Sequence, residues 1–412
     1  MSTAQTIEDL NDKTFDPHIA DKMAFGDYPN PYPRLKELRA TAPVLQMDYW
    51  EEFGVPRWPG PWEDRWTVLS FEAVNQVLSD PITFSNKAFG PTLGTSFGRT
   101  VSVMDPPEHS PFKKLLQKAF NHSVIQEWGS QIVAPVVDEL VSPLRSAGKA
   151  DLVEEFARPY PFNVIYRMLD LPPADIETFY RLTVAQIIHH PNMDNAIEAA
   201  EKLGRYFSRM VEERRANPGS DVVSLLATVM LDGELLPDEV VISFLRQLIN
   251  AGGDTTFRTT TALFTGLLSD PDQLNAVRED RSLVPAAIEE ALRWDGPVTC
   301  SVRLTMKDTE IAGVAVPEGA FLNMAYGSAN HDETVFDHPE RFDIFRPVHR
   351  NFGFAHGAHN CLGQSLARLE MTRALNAMLD ELPNVRLDPD YPAPELKGAA
   401  LRIPDELRVV FG

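Results

Sequence analysis

Cysteine is nearly absent: Cys300 and Cys361 are the only two in 412 residues. Two thiols cannot make a disulfide framework. Positive charge is scarce as well, with 38 Lys and Arg against 59 Asp and Glu and a net charge of −21. Nucleic-acid affinity needs cations that neutralise phosphates, and anionic membranes attract basic segments. Neither partner suits this chain. Long apolar runs are missing too. No stretch approaches the roughly 18 apolar residues of a membrane span, and Met1–His18 contains no apolar signal core. The expectation is a cytoplasmic protein without a membrane anchor.

Hydrophobic residues make up 43% of the chain and charged residues 24%, enough for a sizeable core. Proline is plentiful, 33 residues, which implies many short connections. Repeats, low-complexity runs and long linkers are lacking. The composition suggests one domain over residues 1–412, with an irregular segment over residues 1–25. Helical spacing of apolar residues predicts helices over Phe71–Leu78, Phe112–Phe120, Ile132–Leu144, Ala174–Ile188, Ala196–Arg215 and Leu283–Trp294. From Asp238 to Leu268 apolar residues lie nearly all round, so this helix should be buried. Gly252–Gly253 interrupts it at a cost of up to about 1 kcal/mol each, which invites a functional reason. Strand signals are short: Trp66–Leu69, Thr309–Ile311, Phe321–Ala325, Val385–Leu387 and Leu407–Phe411. They do not alternate with the helices, so the fold class is mainly α with a small β region. Trp50, Trp58, Trp62 and Trp66 crowd into residues 47–66. They read as a packed loop capping a core edge, or as an aromatic mouth for an apolar ligand.

The strongest chemical signal is the run Phe354-Ala-His-Gly357-Ala-His359-Asn-Cys361-Leu-Gly363, followed by a helical pattern over Gln364–Leu379. A cysteine just before a helix N-terminus is placed to be a thiolate. Gly357 and Gly363 permit tight turns or close approach to a flat ligand. His356, His359 and Cys361 could bind zinc, or Cys361 alone could be an axial thiolate to haem iron. Three further patterns stand out. Glu290 and Arg293 share one helix face. Asp254, Thr255 and Thr256 follow the two glycines of the long helix, where buried polar groups are costly unless paired. His109 and Lys113 lie four apart on one face and are both suited to a carboxylate.

Together these segments resemble the cytochromes P450. The resemblance spans about residues 30–410 and rests on the Cys361 loop, Glu290-x-x-Arg293 with Pro339-Glu340-Arg341-Phe342, Ala251-Gly-Gly-Asp254-Thr255-Thr, and the His109–Lys113 helix. Ala355 departs from the pattern, where many members carry Gly. The resemblance implies a triangular helical prism around a buried haem b and an enzyme: a soluble bacterial monooxygenase. Cys361 would be the axial ligand, with backbone N–H groups near Leu362 and Gly363 tuning it. Asp254 and Thr255 would relay protons to dioxygen. His109, Lys113, Arg303 and His359 would hold the propionates, with Gly363 beside the haem. Lys113 stands where Arg is usual, a point charge instead of a fork. Glu290, Arg293 and Arg341 would form a buried structural brace.

The resemblance also implies a pocket of Phe89, Leu93, Phe97, Ile187, Ile188, Ala251, Val298 and Leu401, with His189 and His190 near it. That pocket suits a small hydrophobic substrate, a terpenoid or aromatic compound first. The chain has no room for a flavin or nicotinamide domain. A ferredoxin fed by a ferredoxin reductase is therefore the expected donor, docking on Lys113, Lys114, Lys118, Arg346, Arg350 and Arg368, and a monomer the expected state. A peroxide-driven haem enzyme and a non-catalytic haem sensor are the alternatives; the Asp254–Thr255 pair disfavours both.

Overall fold

The computed structural model of the protein describes residues 6–189, 192–231 and 233–412. The helix Asp238–Ser269 runs 32 residues through the interior. Helices Pro159–Met168, Met193–Ala216, Val284–Trp294 and Gln364–Glu381 pack around it. Their apolar faces form the largest core. The predicted helices appear with boundaries moved by a few residues. One is remodelled: a π-turn at Gly129–Val133 precedes Ala134–Val141.

The glycines of the long helix have a packing role, and the helix is continuous through them. A Cβ on Gly252 would meet Ile165 at 2.4 Å, and one on Gly253 would meet the Phe162 ring at 2.4 Å. Helix Pro159–Met168 can approach this closely only because no side chain intervenes. Sequence spacing does not reveal which face meets a neighbouring helix.

The sheets lie to one side. The largest has five strands in the order Val44–Leu45, Arg65–Val68, Phe321–Met324, Ser301–Thr305, Phe84–Ser85. Only the Phe321–Met324 and Arg65–Val68 pair is parallel. A three-stranded sheet joins Arg386–Leu387, Arg408–Val410 and Lys149–Asp151. The Trp-rich segment packs on the larger sheet. Trp62 stacks on Phe321 at 4.9 Å, and Trp50 Nε1 donates to Asn323 at 3.0 Å. It therefore caps a core edge.

The N-terminal segment is more ordered than expected. Residues Pro17–Phe25 form a helix whose first turn is capped by the Asp16 carboxylate. It buries none of its residues, so no apolar periodicity announced it.

The Glu290 brace needs one correction. Arg293 donates to both Glu290 oxygens, at 2.8 and 2.7 Å, and to the carbonyls of Asn330 and Pro339. The second arginine at Glu290 is Arg346, with Nε 3.3 Å from Oε1. The Arg341 side chain is 71% exposed and only its carbonyl joins the cluster, accepting from Arg293 and Arg346. The irregular chain between them turns Arg341 outward and Arg346, 10% exposed, inward. Urea unfolding checks this assignment. Arg346→Ala should cost about 2–4 kcal/mol, because a buried carboxylate and three carbonyls lose a donor. Arg341→Ala should stay within about 0.5 kcal/mol.

Candidate active site

A cavity of about 340 Å³ lies between the long helix and the Cys361 loop. Ala251, Gly252, Thr255 and Thr256 form one wall, and Phe354, Ala355, Cys361 and Leu362 form the other. Positive φ at Ala355 and Gly357 folds the loop back on itself. A Cβ at Gly357 would strike the Leu78 carbonyl at 2.2 Å, so only glycine fits. Cys361 N–H donates to the Phe354 carbonyl at 2.9 Å and closes the loop. Arg368 bonds Glu289 at 2.6 Å and lies over the Phe354 ring at 4.5 Å, fixing its place.

Burial pushes the Cys361 thiol up, against hydrogen bonds from the backbone N–H groups of Gly363 and Gln364 and the charge of Lys113, which pull it down. The donors begin at Gly363 and not at Leu362, because the helix starts at Gln364. With burial dominant, the thiol favours the anion only when a cation is bound to it. No group of three His, Cys, Asp or Glu residues gathers to hold a metal ion among the described residues. His356 is instead 3.3 Å from Arg350. That geometry disfavours zinc and leaves Cys361 to act as a single thiolate.

The cavity end beside His109 gathers unsatisfied donors. His359 Nδ1 is 3.1 Å from the Asn86 amide nitrogen, a donor. The neutral ring then carries its proton on Nε2, which is buried without a partner. His109 Nδ1 is likewise buried and unpartnered, with the two rings 4.3 Å apart. Arg303 is buried, lines the same cavity and has no carboxylate partner among the described residues. Its Nη1 donates to the Val302 carbonyl at 2.7 Å. A cation without a counter-charge and two imidazoles with unpartnered nitrogens fit the paired carboxylates of a haem. Burial, first among the causes, pushes His109 down to about 4 and His359 down to about 3.

Lys113 does something else. Its ammonium donates to the Ala358 carbonyl at 2.5 Å, the Asn360 carbonyl at 2.8 Å and the Asn360 side chain at 2.5 Å. It lines the same cavity and in this structure latches the ligand loop. A compact ammonium can gather three oxygens that a planar fork would not. Burial pushes it down to about 8.

On the long helix, Thr255 faces the cavity and donates to the Ala251 carbonyl at 2.8 Å. Asp254 does not line the cavity; it pairs with Arg258 at 2.9 Å. Of the pocket residues, Phe89, Leu93, Ala251 and Val298 line it, whereas Phe97, Ile187, Ile188 and Leu401 do not. The first three of the latter belong to a cap drawn together by Gln186 donating to Ser96 O at 3.0 Å and by His189 bonding Ser96 Oγ at 2.5 Å. Leu401 sits in a turn whose neighbour Arg402 is tied to Asp295 at 3.0 Å, which sets it back. His189 is buried in that cap, and His190 lies outside the described residues. Spacing did not identify Phe244, Gln247 and Leu248, which do line the cavity. Their i, i+3, i+4 relation to one another and to Ala251 was a usable signal. Trp58 stands edge-on to Phe89 at 5.8 Å, directly behind the wall.

Acid should weaken the chain freed of any cofactor. His109 and His359 take up protons below about 4 when folded but near 6.5 when unfolded. The unfolded state binds more protons between those values, so stability is full above pH 6.5 and falls toward pH 4. Urea midpoints across that range should show the fall, and His359→Gln should flatten it. An unchanged slope in His359→Gln would contradict the assignment.

The family model for cytochrome P450 matches residues 167–383. The putative cytochrome P450 YjiB of Bacillus subtilis is 32% identical over 86% of this chain and 88% of its own. Cytochrome P450-terp of a Pseudomonas species is 31% identical over 86% and 88%. The crystal structure of CYP109E1 from Bacillus megaterium in complex with corticosterone superposes with a TM-score of 0.80 at 28% identity, over 93% of this chain and 98% of that one.

Proposed function

The chain belongs to the cytochrome P450 family, and on that premise we propose that it oxidises a small hydrophobic substrate, terpenoid or aromatic, using Cys361, Asp254 and Thr255 with electrons from a ferredoxin. The family's chemistry is monooxygenation, and its cofactor is haem b with a cysteine thiolate as axial ligand. When bound, that group supplies the reductive activation of dioxygen and the transfer of one oxygen atom. The observation that carries the proposal is that Cys361 and Thr255 line opposite walls of one cavity.

The rest follows from what each side chain can do. Cys361 would hold the iron, and the N–H groups of Gly363 and Gln364 would temper the charge on its sulfur. His109, His359 and Arg303 would hold the propionates. Thr255 Oγ1 can accept a hydrogen bond while it donates to Ala251, which suits a proton carrier at the cavity wall. Asp254, one residue away, takes protons from the solvent side. Phe89, Leu93, Leu248 and Val298 exclude water and favour an apolar ligand. A terpenoid is favoured by the name of the Pseudomonas relative. The corticosterone bound in the Bacillus megaterium structure makes a steroid the second class to test. Titration of the haem-loaded enzyme with panels of both should shift its visible spectrum. A response to steroids alone would overturn the terpenoid reading.

In Thr255→Ala, reduction should continue while product per electron pair falls by at least about tenfold, with peroxide in its place. Full coupling in that variant would contradict the proton-carrier role.

For the electron donor, Lys114 and Lys118 are exposed on the His109–Ala119 helix and make no ion pair among the described residues. Arg346 is withdrawn into the Glu290 cluster, and Arg368 is paired with Glu289. The docking patch therefore narrows to the two lysines with Arg350. Lys114→Glu/Lys118→Glu should slow ferredoxin-driven reduction about tenfold and flatten its salt dependence. Unchanged rates at low salt would exclude this surface.

A further inference from the structure

The N-terminal helix Pro17–Phe25 buries none of its own residues, yet one of its acids reaches the long helix. Arg258 is fully buried there. Its Nε donates to Asp254 at 2.9 Å and its Nη2 to Asp21 at 2.6 Å. Nη1 is buried without a partner. One guanidinium thus serves two carboxylates, one from the N-terminal helix and one from the long helix itself. Arg158 lies close by, bonded to Glu154 at 2.9 Å and in contact with His18. Tyr180 completes the surroundings. Burial pushes the Asp21 carboxyl up and the Asp254 charge adds to that, while Arg258 opposes both.

Asp254 does not line the cavity, whereas its neighbour Thr255 does. To pass a proton toward Thr255, the Asp254 carboxylate must loosen its pair with Arg258. A buried guanidinium left without an acid is costly. That cost falls when a second carboxylate stays in place while the first moves. Asp21 is positioned to be that carboxylate.

We propose that Asp21 is a positioning residue for proton delivery: it shares Arg258 with Asp254 and so frees the Asp254 carboxylate to leave its ion pair. The N-terminal helix is then part of the reaction machinery. This inference rests on the proton-relay reading of Asp254. In Asp21→Asn, Arg258 has a single acid and grips Asp254 with both of its donors.

The test compares wild type, Asp21→Asn, Asp254→Asn and the double variant as haem-loaded enzymes, with Asp21→Glu and Lys22→Gln as controls. Asp21→Asn should slow product formation about tenfold, as expected for lost positioning of a proton-transfer group, and raise the solvent deuterium isotope effect. Asp21→Glu should restore both. The double variant should be no slower than Asp254→Asn, because Asp21 acts through Asp254. Lys22→Gln breaks another tie of this helix, to Asp405 at 2.5 Å, and should leave the isotope effect unchanged.

A readout independent of turnover is urea unfolding. Asp254→Asn should lower the folded-to-unfolded ratio at least about tenfold more in the Asp21→Asn background than in wild type, because Arg258 then loses its last acid. Wild-type kinetics in Asp21→Asn alongside an impaired Asp254→Asn would overturn the inference and leave the relay standing. Wild-type kinetics in Asp254→Asn would overturn the relay itself. Additive unfolding effects, or a Lys22→Gln that behaves like Asp21→Asn, would assign Asp21 a purely structural role.

Discussion

Burial of the Cys361 sulfur is the constraint on which the site depends. Desolvation alone would keep it a neutral thiol. The two N–H groups at the start of Gln364–Glu381 and the nearby Lys113 charge offset only part of that burial. A thiolate there would be completed by the iron of the family's cofactor and not by the protein alone. The same logic extends along the cavity, where His109 and His359 each bury an unpartnered ring nitrogen and Arg303 meets no carboxylate among the described residues. The protein has built half of each interaction and leaves the other half to the cofactor. Such a site is unsatisfied by itself, so binding the group contributes to stability as well as to chemistry.

Everything around that cavity holds its two walls in register. The long helix carries one wall and is fixed because Gly252 and Gly253 let it seat directly on Ile165 and Phe162. The loop carries the other and is fixed by Lys113, by the Phe354 carbonyl and by the Arg368 guanidinium over Phe354. The Glu290–Arg293–Arg346 cluster pins the chain leading into that loop to the helix Val284–Trp294. Buried ion pairs of this kind add little net stability but cost several kcal/mol to break. Their service here is to define one arrangement of irregular chain.

Much of this was legible in the sequence wherever chemistry forces a local pattern. A glycine flanked by carbonyls, a cysteine ahead of a helix and an acid–alcohol pair in a buried helix each leave a short signature. The buried helix was legible because nearly all of its faces are apolar. What stayed hidden depends on long-range geometry. Arg341 and Arg346 both sit in irregular chain, and only the fold turns one outward and the other inward. Lys113 was the right residue type for a carboxylate, and spacing could not show that it also bonds three loop oxygens. Phe97 and Leu401 are apolar enough for a pocket wall, but the Ser96–His189 contact and the Arg402–Asp295 pair draw their segments elsewhere. The helix Pro17–Phe25 buries no residue fully and is tied down by ion pairs and by Phe25 at its end, so periodicity could not show it.

The most direct test of the account is the visible spectrum of the dithionite-reduced protein exposed to carbon monoxide, taken on wild type, Cys300→Ser and Cys361→Ser. Cys300 is buried in a separate apolar cluster. The account predicts the strongly red-shifted Soret band of a thiolate-ligated haem in wild type and Cys300→Ser, and its loss in Cys361→Ser. A band typical of histidine-ligated haem in wild type, or a thiolate band that survives in Cys361→Ser, would contradict it.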